Sequence, residues 1–147
     1  MSGEIEIRAA RESDLDAVHR LERTCFPVPW RKEFFLSELQ QSGRVCLVAT
    51  RYGQLVGYVF AMTIVDEMHI NKIAVLPAER RRGIAVALMH LCIDAALERN
   101  VTLLSLEVRQ SNEGAQQFYR HLDFEPSYVR PRYYPDGEAA VVMTRRL

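Results

Sequence analysis

The segment Arg80-Arg81-Arg82-Gly83-Ile84-Ala85 constrains the fold of this chain more than any other. It follows a strand-like apolar run, residues 68–75, and precedes a long apolar run typical of a helix, residues 86–97. A turn from a strand into a helix forms an anion site when its N–H groups point outward. Gly83 lets a ligand approach the backbone, and the arginines add positive charge. The pattern predicts a main-chain grip on a pyrophosphate; the alternative is a solvated basic helix start.

Length and composition favour one ordinary globular domain, residues 1–147, with a single core. The net charge is zero, so nothing in the overall charge attracts the chain to nucleic acids or anionic membranes. No apolar run reaches membrane length, and residues 1–11 lack the apolar core of a signal peptide. We therefore predict a cytoplasmic protein with no membrane partner and no nucleic-acid specificity.

The three cysteines, Cys25, Cys46 and Cys92, are widely spaced and odd in number. This spacing fits neither a disulfide framework nor a metal site, so no metal is predicted. All three lie among apolar residues, and we expect them to be buried small hydrophobic residues in a reducing cytosol.

Apolar periodicity predicts the element order β-α-α-β-β-β-α-β-α-β-β, a mixed α/β layer. Ser13 is expected to cap the first helix, and Ser111 or Asn112 to cap the last. The helix over residues 83–100 is apolar nearly all round, so we expect it to be buried. The predicted strands cover residues 5–7, 45–49, 55–65, 68–75, 101–108, 124–129 and 139–144.

Several further motifs accompany the glycine turn. They are residues 26–30 (Phe-Pro-Val-Pro-Trp), 69–75 (His-Ile-Asn-Lys-Ile-Ala-Val), 106–109 (Leu-Glu-Val-Arg), 111–112, 118–119 and 132–138 (Arg-Tyr-Tyr-Pro-Asp-Gly-Glu). Over nearly its whole length the chain resembles the GNAT-superfamily acetyltransferases. It is most similar to the protein N-terminal subgroup: the RimI type of bacteria, the archaeal N-terminal acetyltransferases, and the catalytic subunits of NatA and NatE. The glycine turn indicates only the superfamily, whereas the motifs after it are more specific to N-terminal acetylation.

The resemblance implies the GNAT fold, a single mostly antiparallel sheet of about seven strands flanked by about four helices. It implies acetyl-CoA as co-substrate, no metal, and direct transfer of the acetyl group to the N-terminal α-amine of a protein in a ternary complex. The implied partners are protein or peptide N-termini, with a ribosomal protein, an auxiliary subunit and the ribosome as candidates. Two alternatives remain open: a GNAT enzyme acting on a lysine or small-molecule amine, and a non-catalytic acyl-CoA-binding module.

Glu107 lies in a strand whose side chains alternate between two faces, residues 103–109. A glutamate in an apolar strand is costly unless it is exposed or paired, so a salt bridge with an arginine is one interpretation. The resemblance implies another, in which Glu107 is the general base that takes a proton from the amine. His69 is either a structural residue or, as in archaeal and NatA-type relatives, a second proton acceptor. His19, His90 and His121 are interpreted as surface or helix residues.

The resemblance places Tyr119 beside the thioester sulfur, as a proton donor to the leaving thiolate; its spacing with Phe118 also fits a core aromatic residue. Because tyrosine has a pKa of about 10 and a thiol about 8.5, we expect only partial proton donation. The Val75 N–H is the expected donor to the thioester oxygen, and Asn112 caps a helix, contacts the cofactor, or does both. The implied cofactor-binding residues are Ile73, Ala74, Val75, Arg81, Arg82, Gly83, Ile84, Ala85, Val86, Asn112 and Tyr119.

The expected substrate amine is a protein N-terminus. At pH 7 roughly a tenth of α-amines are neutral, against well under a thousandth of lysine amines. The resemblance implies that Phe26, Pro27 and Val28 form one peptide-binding loop and that Tyr133 and Tyr134 form the other. The alternative for the tyrosine pair is a tight turn held by aromatic packing.

The chain departs from the family pattern at three positions. NatA-like enzymes carry a glutamate where Val28 stands, so we expect a more apolar pocket for the first residue of the substrate. Ala139 replaces an acidic residue near the end of the chain, and Asp123 replaces a glycine in a turn. Aspartate tolerates the left-handed conformation better than most residues, so only local loop geometry is in question there.

Overall fold

The structure, a computed structural model, describes residues 3–147. The strands are β1 (Glu6–Ala9), β2 (Arg44–Arg51), β3 (Gln54–Ile64), β4 (Glu67–Val75), β5 (Leu103–Arg109), β6 (Glu125–Arg130) and β7 (Ala140–Arg146). The α-helices are α1 (Leu15–Cys25), α2 (Lys32–Gln40), α3 (Ile84–Glu98) and α4 (Glu113–His121), with short 3₁₀ turns at Glu12–Asp14 and Pro77–Glu79. The predicted order of strands and α-helices is confirmed. The sheet runs β1-β2-β3-β4-β5-β7-β6, and all neighbours except β4 and β5 are antiparallel.

Two apolar cores cover the two faces of the sheet. Alternate residues of β3 point to opposite faces, so Tyr58 and Phe60 join one core while Val59 and Ala61 join the other. The first core receives α1 and α2, through a set that includes Leu15, Val18, Leu21 and Phe35. The second receives α3, through Ile84, Leu88, Met89, Cys92, Ile93 and Ala96.

The parallel pair β4 and β5 opens into a wedge. Pairing runs from Glu67↔Leu103 to His69↔Ser105 and ends there, although both strands continue. The connection between them contains α3, as a parallel pair requires a crossover. The wedge widens toward the carboxyl ends of both strands. The N-terminus of α3 follows the carboxyl end of β4 in the chain.

The expected cap at Ser13 is wrong. Ser13 lies within the 3₁₀ turn Glu12–Asp14, and α1 begins only at Leu15. Asp14 makes the side-chain hydrogen bond at the start of this turn instead. Its Oδ2 accepts from the Arg11 N–H at 2.7 Å. The guanidinium of Arg8 contacts the same carboxylate at 2.8 Å. This ion pair, across six residues, favours Asp14 over the neighbouring hydroxyl.

The expected burial of all three cysteines is confirmed only for Cys92. Cys25, the last residue of α1, and Cys46, in β2, are partly exposed at the margin of the core beneath α1 and α2. Burial still raises the pKa of the Cys46 thiol to about 11 and that of Cys92 to about 12. These three thiols therefore stay protonated near neutral pH, since the pKa of Cys25 is also raised by burial.

Helix α3 is not buried on every side. Leu91 is 40% exposed and Leu97 is 55% exposed, so the expected burial of the whole helix is wrong for this flank. The stripe that faces the sheet is covered, and the main contacts of α3 are with β2, β3 and β4. No helix among residues 3–147 has the length and apolar character needed to cross a membrane.

Candidate active site

The turn before α3 leaves main-chain N–H groups free. Gly83 is the N-cap, with φ 78° and ψ 13°, and the helical hydrogen bonds begin with Ala87 N–H donating to the Gly83 carbonyl at 3.0 Å. The N–H groups of residues 84–86 therefore have no acceptor within the helix. A Cβ built on Gly83 would meet no protein atom within 4 Å. The left-handed backbone, rather than crowding by the protein, is what requires glycine here.

The arginines of the turn differ in their surroundings. Arg81 has φ 68°, a left-handed conformation that is uncommon for a residue with a side chain, and its side chain is exposed. Arg82 Nε pairs with Glu79 Oε2 at 3.0 Å, and Arg51 contacts the same carboxylate. Part of the positive charge predicted for the turn is therefore balanced by Glu79.

Glu107 and His69 lie in contact at the point where the wedge opens. The alternation predicted for β5 is confirmed, with Glu107 on the less buried face. Its carboxylate Oε2 contacts His69 Nε2, and their side chains are 12% and 27% exposed. The partner of Glu107 is thus a histidine rather than the arginine considered from the sequence. The pairing of His69 with Ser105 brings the two side chains together, since Ser105 and Glu107 share one face of β5.

A second contact fixes the other side of the imidazole. Asn71 Oδ1 lies against His69 Nδ1, and Asn71 Nδ2 donates to Glu38 Oε1 at 2.9 Å. Burial lowers the pKa of His69, but the hydrogen bonds with Glu107 and Asn71 outweigh it and raise that pKa above 6.5. Asn71 was not among the residues predicted from the sequence. Its spacing of two from His69 was an available signal, because residues i and i+2 of a strand share a face.

A cavity of about 290 Å³ opens beside this pair. Besides His69, Ser105 and Glu107, its lining includes the apolar side chains of Met62 and Ile64 and the oppositely charged side chains of Glu67 and Arg130.

The predicted loop Phe26-Pro27-Val28 is anchored by a buried carboxylate that the sequence did not reveal. Glu22 is fully buried and accepts hydrogen bonds from the Trp30 N–H, at 2.8 Å, and from the Tyr58 hydroxyl. Lys72 Nζ lies 3.0 Å from Glu22 Oε2 and 3.7 Å from the centroid of the Phe26 ring. Val28 is 55% exposed at the tip of this loop. The sequence did not predict the burial of Glu22, because its position in the helix pattern is typical of a solvent-exposed face.

The second loop is held by surface charges. Arg109 Nη1 lies 2.8 Å from Asp136 and 2.9 Å from Glu138, and its guanidinium lies 4.1 Å from the centroid of the Tyr134 ring. Hydrogen bonds from Ser111, including its N–H, and from Arg109 lower the pKa of Glu138 to about 2. Tyr133 and Tyr134 lie in a tight turn, since both of their N–H groups donate to the Glu138 carbonyl at 3.1 Å. Tyr133 remains 44% exposed.

Helix α4 carries the last two predicted residues. Asn112 is its cap, and Asn112 Oδ1 accepts a hydrogen bond from the Ala115 N–H at 3.1 Å. Tyr119 is 8% exposed and packs edge-on against Phe118 and Phe124. Burial, followed by the nearby Tyr134, raises the pKa of Tyr119 well above its ordinary value. Tyr119 is therefore a core aromatic residue whose hydroxyl stays protonated at neutral pH.

Within the described residues, no group of three or more histidine, cysteine or acidic side chains could hold a metal ion. The polar chemistry of the site comes from the imidazole–carboxylate pair, the phenol of Tyr119 and the main-chain N–H groups of the glycine turn.

Comparison with known proteins agrees with this geometry. The profile of the family described as "Acetyltransferase (GNAT) family" matches residues 15–124. The [Ribosomal protein bS18]-alanine N-acetyltransferase of Escherichia coli (strain K12) is 33% identical over 140 residues, covering 93% of this chain and 94% of that protein. An N-alpha-acetyltransferase of Sulfurisphaera tokodaii is 34% identical over 157 residues, covering 98% and 94%.

Solved structures give the same result. The crystal structure of the Escherichia coli ribosomal-protein-S18-alanine N-acetyltransferase matches with a TM-score of 0.90 and 32% identity, over 97% of this chain and 94% of that chain. The structure of Ard1 from Thermoplasma volcanium matches with a TM-score of 0.92 and 27% identity, over 97% of each chain. This chain therefore belongs to the GNAT acetyltransferase family, as its motifs implied.

Proposed function

We propose that this protein transfers the acetyl group of acetyl-CoA to the N-terminal α-amine of a protein. The contact between Glu107 and His69, at the point where β4 and β5 separate, carries the proposal. It provides a proton acceptor beside an open cavity. The full-length similarity to N-terminal acetyltransferases from a bacterium and an archaeon supports the same substrate class.

The cofactor half of the proposed site is the wedge together with the glycine turn. Acetyl-CoA supplies an activated acetyl thioester and a pyrophosphate. The free N–H groups of residues 84–86 suit the pyrophosphate, and Gly83 leaves the space for it, with Arg81 and Arg82 adding charge. Ile73, Ala74 and Val75 would line the wedge. Asn112 would contact the cofactor in addition to capping α4.

The Val75 N–H is the proposed donor to the thioester oxygen. Leu76 N–H donates to the Val56 carbonyl of β3 at 2.8 Å. Neighbouring N–H groups along an extended strand point to opposite edges, so the Val75 N–H points away from β3 and toward the wedge. Such a donor commonly lowers the barrier to acyl transfer by about 3 kcal/mol.

Protein side chains account for the two protons that move in the reaction, of which one is released and the other ends on the thiol of CoA. The substrate ammonium loses one proton to the pair of Glu107 and His69, and its freed electron pair forms the bond to the acetyl carbon. The nitrogen gives up a second proton as the amide forms, and this loss balances the proton that the departing thiolate takes up to become a thiol. Tyr119 is the proposed donor to that sulfur. Its raised pKa makes complete transfer uphill, so we assign it partial donation.

The peptide half of the proposed site lies between the two loops. Phe26, Pro27 and Val28 would contact the first residues of the substrate from one side, and Tyr133 and Tyr134 from the other. We propose a ribosomal protein as one substrate, cytoplasmic action, and an auxiliary subunit or the ribosome as further partners. The similarity to the bS18-alanine acetyltransferase supports the first of these.

A peptide assay with purified protein and acetyl-CoA tests the function. One set of peptides has a free N-terminus and no lysine, and a matched set has a blocked N-terminus and one internal lysine. We expect acetylation of the first set alone, with loss of activity in Glu107→Gln. Acetylation of the lysine set alone, or of neither set, would contradict the proposal and favour the lysine-directed or non-catalytic alternative.

A further inference from the structure

A connected series of polar side chains leads from helix α2 to the imidazole of His69. Arg44 Nε lies 3.2 Å from Glu38 Oε2, and the other oxygen of Glu38 accepts the hydrogen bond from Asn71. Asn71 contacts His69, and His69 contacts Glu107. The side chains of Arg44 and Glu38 are 17% and 14% exposed, so this series is largely shielded from solvent.

The carboxylate of Glu38 determines which way the Asn71 amide points. An ionised carboxylate only accepts hydrogen bonds, so it requires the NH₂ group of Asn71 on its side. The Asn71 oxygen must then face His69 Nδ1. That oxygen also only accepts, which requires a proton on Nδ1. The series therefore selects one tautomer of the neutral imidazole, with Nδ1 protonated and the lone pair on Nε2.

The lone pair on Nε2 faces the carboxylate of Glu107, so two proton acceptors face each other across one gap. A single proton placed in this gap is bound by both. The opposite tautomer would place a proton on Nε2 permanently and leave Nδ1 facing the Asn71 oxygen without a hydrogen. It would remove one of the two acceptors and leave the Asn71 oxygen unsatisfied.

We propose that Asn71, oriented by Glu38, is a positioning residue that holds His69 as the Nδ1–H tautomer and so makes Nε2 the atom that shares the proton of the substrate amine with Glu107. This inference rests on the proposed function. In the step, the N–H bond of the ammonium breaks, an N–H bond forms at Nε2 within hydrogen-bonding reach of Glu107, and the electron pair stays on the amine nitrogen for the bond to the acetyl carbon.

The charged groups around His69 come from four elements. Glu107 of β5 and Arg130 of β6 face it, Glu67 of β4 lies on the same cavity, and Glu38 of α2 acts through Asn71.

A proton already held between His69 and Glu107 at low pH blocks acceptance of a proton from the amine. Activity should therefore rise with pH as His69 loses that proton.

Nitrogen NMR of the histidine side chains tests the tautomer without requiring turnover. In the wild-type protein, His69 should show a protonated Nδ1 and an unprotonated Nε2 above its titration midpoint. His121 serves as an internal reference, because its Nδ1 contacts the Gln117 carbonyl at 2.7 Å on the exposed side of α4. Its signals should not respond to substitutions at Asn71.

Two substitutions at Asn71 should move the His69 midpoint in opposite directions. Asn71→Leu removes the acceptor, so the midpoint should fall, the Nε2–H tautomer should appear, and kcat should fall about tenfold. Asn71→Asp in a Glu38→Gln background, where the amide at position 38 can donate to the new carboxylate, retains an acceptor and adds a negative charge relative to Glu38→Gln alone, so the Nδ1–H tautomer should persist and the midpoint should rise. The acidic limb of the kcat profile should follow each midpoint, while KM for acetyl-CoA stays unchanged. A loss of packing alone would not give opposite shifts.

Glu38 provides an independent approach if an Asn71 variant folds poorly. Glu38→Gln retains an oxygen that accepts from Asn71 and should keep the tautomer, whereas Glu38→Leu should lose it. Two results would overturn the inference. One is an Nε2–H tautomer in the wild-type protein, and the other is a tautomer that stays the same in both Asn71→Leu and Glu38→Leu. A tautomer that responds as expected in a protein that acetylates no peptide would refute the proposed function and leave the tautomer assignment standing.

Discussion

The two halves of the candidate site depend on different chemical groups, main-chain N–H groups in one and side chains in the other. The cofactor half consists of main-chain N–H groups, at the free end of α3 and along the open edge of β4. The proposed peptide half is held by paired charged side chains: Glu107 contacts His69, and the fully buried Glu22 pairs with Lys72 beneath the first loop. A side chain can be replaced with little change in shape, so its chemistry can be tested directly. Main-chain groups can be altered only by changing the backbone conformation that presents them.

The largest expected effect concerns the chemistry of the peptide half. Glu107→Gln keeps the shape and removes the negative charge, so kcat should fall by about 10²–10³ while KM for acetyl-CoA stays near its original value. His69→Ala should lower kcat by a smaller factor. In the double variant the two losses of activation free energy should be less than additive, because both residues accept the same proton. Glu67→Gln is the matched control, since that carboxylate lines the same cavity without contacting His69. Near-normal turnover of Glu107→Gln between pH 6 and pH 9 would refute the assignment.

Stability should separate the buried pair of the peptide half from an exposed one. Glu22→Gln leaves Lys72 without its carboxylate, and breaking a buried pair costs about 3 kcal/mol of the free energy of unfolding. The loop from Phe26 to Trp30 should also loosen, raising KM for peptides. Asp16→Asn is the control: it removes the exposed pair with Lys32 and should leave the denaturation midpoint unchanged. Equal midpoints for the two variants in chemical denaturation would show that Glu22 does not anchor this loop.

The cofactor half should respond to backbone changes alone. Gly83→Val places a β-branched residue at φ 78°, which distorts the turn and fills the free space beside it. The affinity for acetyl-CoA should fall about tenfold or more, measured by calorimetry on folded protein. Gly137→Val imposes a similar strain at φ 91° in the second loop and should leave this affinity unchanged. Unchanged binding in Gly83→Val would exclude the glycine turn as the cofactor site.

The smallest effect should be a change in substrate preference. The apolar side chain of Val28 cannot hydrogen-bond a serine at the first position, so peptides that start with Met or Ala should react at least as well as those that start with Ser. Val28→Glu should shift kcat/KM toward Ser by several-fold, equivalent to about 1 kcal/mol for an exposed position. Val65→Glu adds the same charge at a site that is 92% exposed and should change nothing. A Ser preference that is identical before and after Val28→Glu would mean that this loop does not set specificity.

Local patterns in the sequence were sufficient for the order of the elements and for several site positions. Alternation placed Glu107 on the open face of β5, and Asn112, one of the two predicted caps, is the cap of α4. Asp123 does adopt the left-handed conformation, at φ 65°, that its place in the turn required. Each of these depends on the residue itself and on neighbours within a few positions. Ser13 was predicted on the same local grounds and is wrong, because Arg8, six residues before Asp14, pairs with the Asp14 carboxylate.

The sequence by itself determined the family motifs, the two faces of each strand and the glycine at the start of α3. Only the tertiary structure decided which charges meet: Glu107 with His69 rather than an arginine, Glu22 buried beneath the first loop, and Asn71 between Glu38 and His69. Burial and pairing of a charge depend on strand register and on helices packed from distant parts of the chain. The energy of a carboxylate follows from those surroundings, so residue type and spacing cannot specify it.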